Sequence, residues 1–93
     1  MTDYANRLWA ELSGRDMQAW DDGRATVALM APDPVAFEVA DAAATTLSPD
    51  AADAYLAGAK VAAVEYLQRN TDDAFQAAFR AWLPVDDTTW RQA

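Results

Sequence analysis

Residues 48–70, SPDAADAYLAGAKVAAVEYLQRN, hold the longest helical pattern in the chain. Ser48 suits an N-cap, because its hydroxyl can accept from an orphan N–H of the first turn. Pro49 follows at the first helical position, where a missing N–H costs nothing. Asp50 and Asp53 stand near the positive end of the helix dipole, and Arg69 stands near the negative end. Asn70 reads as a left-handed stop. At about 100° per residue, Ala52, Tyr55, Leu56, Ala59, Ala63, Tyr66 and Leu67 share a face that is small in the middle and bulky at both ends. Val61 and Val64 fall off that face, among Asp53, Lys60, Glu65 and Gln68. A helix apolar on two sides belongs in the middle of a domain, or offers its second side to a partner.

Outward from this helix, the residues before it open with a break at Ala31-Pro32-Asp33-Pro34. Asp33 reads as an N-cap for a helix over 34–47, with Ala36, Phe37, Ala40, Ala43, Ala44 and Leu47 inward and Glu38, Asp41 and Thr45 outward. The junction 47–49 is short, so this helix should pack on the central one. On the other side, Thr71-Asp72-Asp73 opens a helix over 72–83, with Phe75, Ala78, Phe79, Trp82 and Leu83 at helical spacing and Pro84 as a stop. Residues 85–91 read as a loop with at most one turn. At the N-terminus, Thr2 or Asp3 can cap a helix over 3–13, with Tyr4, Ala5, Leu8, Trp9 and Leu12 on one face and Gly14 ending it.

Residues 17–29 read in two ways. Asp22-Gly23 is a strong two-residue turn signal, and Ala25, Val27 and Leu29 then alternate with Arg24, Thr26 and Ala28, so a β-hairpin is the preferred reading. Ala, Leu and Met equally allow two short helices around a turn. The expected fold is therefore mainly α: a bundle of three to four helices (3–13, 34–47, 49–69 and 72–83) with a hairpin at 17–29, forming one compact helical domain over residues 1–93. Composition agrees. Ninety-three residues leave no room for a second core, and bulk comes from seven Leu, six Val, three Met and ten aromatics, with no Ile.

The chain contains no Cys and no His. This removes disulfides, thiolate metal sites, cysteine nucleophiles and the His-dependent triads. The only serines, Ser13 and Ser48, have turn and cap explanations, and Lys60, the single lysine, reads as a side chain reaching to solvent along the central helix. Gly14, Gly23 and Gly58 are too dispersed for a phosphate loop. Three Asp-Asp pairs, at 21–22, 72–73 and 86–87, could bind a divalent cation or act as acid and base. Each falls at an expected turn or helix start, where Asp is wanted anyway. No cofactor, metal site or catalytic residue is therefore expected, and an enzyme is not. The N-terminus lacks the pattern of a signal peptide, and no apolar run has membrane-spanning length, so a cytoplasmic location is expected.

The formal net charge is -8. Most of it lies in residues 25–59, which carry five carboxylates and no Lys or Arg. Such a chain would be repelled by nucleic acid and by anionic membrane, so the expected partner is a protein with a basic surface. Glu38, Asp41, Asp50 and Asp53 are the candidate contacts. Trp20, beside the expected turn, and Trp90, beyond the last clear helix, are the candidate aromatic anchors, since Trp is enriched at interfaces. A small, acidic, helical chain without catalytic groups is similar in composition to inhibitor and immunity-type proteins. Examples are the colicin nuclease immunity proteins, anti-CRISPR proteins and DNA mimics, and the likeness carries no residue over. The implied function is a non-enzymatic binding module that occludes a basic, nucleic-acid-binding surface by mimicry. The alternative is a structural protein that assembles as a homodimer through Val61, Val64 or Trp90.

Overall fold

Four helices build the fold: α1 Met17–Met30, α2 Ala36–Ala44, α3 Pro49–Arg69 and α4 Asp73–Trp82. The computed structural model describes residues 6, 8 and 16–83, and no strand occurs among them. The helix expected over 3–13 lies largely outside the described residues. Within it, Asn6 and Leu8 are helical, and Leu8 packs on the core.

The largest departure from the sequence reading is at 17–29, where the hairpin is replaced by α1. Its buried residues are Ala19, Trp20, Gly23 and Val27. That is a spacing of one and two helical turns, not an alternation, and Ala25 and Leu29 of the supposed strand are exposed. Asp22-Gly23 sits inside the helix instead of turning the chain. Gly23 is needed there for another reason. A Cβ on Gly23 would overlap the Tyr55 carbonyl oxygen of α3 and stand 2.7 Å from its carbon. Reciprocally, a Cβ on Gly58 would overlap the Trp20 carbonyl oxygen of α1 and stand 2.9 Å from its carbon. The two helices thus cross backbone to backbone, each glycine admitting the other chain. Tertiary packing overrides the local turn preference.

Helix α1 is started by Asp16, whose Oδ1 accepts from the Ala19 N–H at 3.0 Å. The contact with α3 is fastened outside the crossing at two points. Arg24 donates to Glu65 at 2.8 Å, and the Thr26 and Tyr55 hydroxyls share a hydrogen bond of 2.7 Å.

Helix α2 is shorter at both ends than the expected 34–47. Asp33 does order its start, accepting from Val35 N–H at 3.0 Å, but the chain passes through a turn at Pro34 and Val35 before the helix begins. At the other end the Thr45 hydroxyl donates to the Ala42 carbonyl and the Thr46 hydroxyl to the Ala43 carbonyl. Threonine hydroxyls compete with the helix for its carbonyls, and here they end it before Leu47.

Helix α3 follows its sequence reading at the start, with Ser48 Oγ accepting from Ala51 N–H. Its end differs. Asn70 is extended, with φ -136°, not left-handed. Its side-chain amide and its backbone N–H both donate to the Tyr66 carbonyl, which satisfies an orphan acceptor without a left-handed residue. The middle of α3 is buried on nearly every side, from Ala54 to Val64. Val61 and Val64 are fully buried within this chain. The second apolar strip is therefore core in this fold, covered from within the chain. Phe75 and Phe79 of α4 complete the centre with Val27, Val61 and Val64. Burying each such side chain contributes about 1.5–3 kcal/mol. Helix α4 is capped by Asp72, which accepts from Phe75 N–H at 2.9 Å.

Candidate functional site

Phe37 is the hinge of the aromatic cluster that joins α2 to α4. Its ring lies 5.0 Å from Phe75 and 4.9 Å from Trp82, both tilted. Trp82 is only half-buried. Its indole Nε1 donates to Asp41 Oδ1 at 2.9 Å, fixing the ring beside α2. An open groove of about 430 Å³ runs between the two helices. Pro34, Val35, Phe37 and Trp82 give it apolar walls, Ala78 and Ala81 of α4 keep it wide, and Glu38 and Asp41 stand along it. None of the residues lining it is basic.

The four acidic candidates do not form one patch. Glu38 and Asp41 belong to this groove. Asp50 and Asp53 are exposed on the first two turns of α3 and do not line it. The α2–α3 junction instead gains acidic neighbours from α1. Asp16 and Asp22 line a second groove, of about 320 Å³, with Thr46, Leu47, Ala51 and Tyr55. The pairing of these α1 carboxylates with the junction depended on the α1–α3 crossing and had no local signal.

Trp20 is a core residue, 4% exposed, with its carbonyl against Gly58. It offers no surface to a partner in this fold, because the turn that would have displayed it does not exist. Trp90 lies outside the described residues. Two residues of the groove were not singled out by sequence. Trp82 reads there as core, and Val35 precedes the inward face of α2; Val35 is in fact 39% exposed.

Of the paired aspartates, Asp72 is a cap. Asp21 and Asp22 are exposed within α1, not at a turn, and Asp86-Asp87 lies outside the described residues. Among the described residues no three His, Cys, Asp or Glu are grouped to hold a metal ion. None of their polar or charged side chains is buried. No helix among them is long and apolar enough to cross a membrane. Comparison with protein-family models, curated proteins and solved structures finds no match to this chain.

Proposed function

We propose that this chain is a non-enzymatic binding module that recognises a basic surface on another protein and occludes it. A nucleic-acid-binding face is the natural target, with carboxylates standing where phosphates would. One observation carries this reading. All eleven carboxylates of residues 16–83 lie at the surface, eight of them exposed, against four cations, of which Arg24 is already paired with Glu65. A small fold that presents so large an excess of negative groups attracts a basic partner, steers its approach and repels nucleic acid and anionic lipid.

The test is affinity capture from an extract of the cells that make the protein, followed by mass spectrometry. The bait is run beside a variant with Glu38→Gln, Asp41→Asn, Asp50→Asn and Asp53→Asn. Basic proteins enriched on the first and absent from the second support the reading. Identical capture by both would reject it.

A second reading, assembly with its own copies, is favoured by the outer face of α1, where Leu29 is 85% and Met17 62% exposed. Sedimentation of the chain and of Leu29→Lys at high concentration decides it. A monomer in both cases removes this alternative.

A further inference from the structure

We infer that the groove between α2 and α4 seats a basic amphipathic helix of the partner protein. This rests on the reading of the chain as a binder of basic surfaces, and adds a place and a shape to it. The floor is apolar, with Val35, Phe37, Ala78 and Trp82. Small residues on α4 leave room for another helix axis to come close, as Ala and Gly do inside this fold.

The rim supplies the charge complementarity. Glu38 and Asp41 are one helical turn apart on the same side of α2, a spacing that brings Cβ atoms to about 5–6 Å. Lys or Arg at positions three or four apart on an incoming helix match that spacing. Between those cations, such a helix turns an apolar stripe to the groove floor. Among the described residues, no cation lines the groove to compete. Asp41 already accepts from the Trp82 indole, yet a carboxylate has lone pairs for further donors. That hydrogen bond and the tilted contact with the Phe37 ring at 4.9 Å hold the indole in place before binding. An aromatic wall so fixed loses little freedom when a ligand arrives.

The probe is a short fluorescein-labelled Leu/Lys amphipathic helical peptide, with a Leu/Glu peptide of the same pattern as control. Anisotropy gives affinity, and amide and indole N–H shifts give the place. The Leu/Lys peptide should shift the Trp82 indole N–H and the Val35 and Ala78 amides, while the Leu/Glu peptide does nothing. Glu38→Gln with Asp41→Asn should weaken binding about tenfold, the expectation for two partly exposed ion pairs. Val35→Lys, at a position 39% exposed, should weaken it similarly by placing a cation in the groove. Asp50→Asn with Asp53→Asn should change it less than about twofold, their charges acting only through screened solvent. Each variant's melting curve is recorded, so a loss of binding counts only in a folded chain.

Shifts that gather on α1 and the start of α3, with binding lost in Asp50→Asn/Asp53→Asn alone, would overturn the groove and leave the wider reading standing. Absence of binding by the Leu/Lys peptide would also overturn the groove; the capture experiment then judges the wider reading by itself. The same groove shifts on concentrating the protein alone would name a second copy as the occupant and equally overturn the proposal.

Discussion

Replacing Gly58 with alanine sets two physical effects against each other. In a helix interior, Gly→Ala normally stabilises by about 0.8–1.0 kcal/mol, because alanine loses less backbone freedom. Gly58 sits near the middle of a 21-residue helix, so propensity alone predicts a gain. At the crossing, however, the new Cβ would overlap the Trp20 carbonyl oxygen and stand 3.0 Å from the Arg24 nitrogen, where ordinary contact needs 3.4–4 Å. These are backbone atoms and cannot rotate away, so α1 and α3 must separate. Overpacking typically costs about 1–3 kcal/mol, and a backbone obstacle puts this site at or beyond the upper end. After the propensity gain, the expected net loss is about 2 kcal/mol. For a domain of this size that is a melting temperature lower by about 8–16 °C. Gly23→Ala should act in the same direction. The double variant should cost less than the sum, since one separation relieves both overlaps. Circular dichroism melts measure all three. A Gly58→Ala chain that melts higher than the parent would refute the close crossing and reopen the hairpin reading of residues 17–29.

Other outcomes follow from the same contacts. Asp72→Ala removes the acceptor for Phe75 N–H and should lower stability by about 1 kcal/mol in urea unfolding. Phe75→Ala empties a fully buried site between Phe37 and Tyr66. A loss of about 3–5 kcal/mol would leave little of the native near-ultraviolet dichroism. Arg24 and Glu65, 2.7 Å apart but 35% and 21% exposed in their side chains, should show a double-mutant coupling of no more than about 1 kcal/mol, smaller in high salt. Leu29→Lys should shift the unfolding free energy by less than about 0.5 kcal/mol, since the side chain touches little.

Helices α3 and α4 were legible because their signals are local. Ser48-Pro49 and Asp72 cap the turns that immediately follow them, and apolar residues recur at helical spacing. Helix α1 had a local signal too, since Ala19, Gly23 and Val27 recur every four residues. A stronger turn signal at Asp22-Gly23 masked it. What that glycine is for could be seen only with Gly58 beside it, 35 residues away in the chain. The end of α2 was readable in principle, because Thr45 and Thr46 stand in tandem and their hydroxyls can take up helix carbonyls. The site was less legible. The acidity of residues 25–59 was plain, but its division between the α2–α4 groove and the first two turns of α3 depends on helix packing. The Trp82–Asp41 hydrogen bond joins residues 41 positions apart, and no pattern in either segment announces it. Trp20 misled for the same reason as the hairpin: its exposure was inferred from a turn that is not formed.

The most direct test of the central claim is the affinity of the chain for its captured partner as salt is raised from about 0.05 to 0.5 M, where screening grows steeply. The account predicts that binding weakens sharply over this range. It also predicts that the variant with Glu38→Gln, Asp41→Asn, Asp50→Asn and Asp53→Asn binds more weakly and with a shallower salt dependence. Binding that ignores salt, or a variant that binds as the parent does, would contradict it.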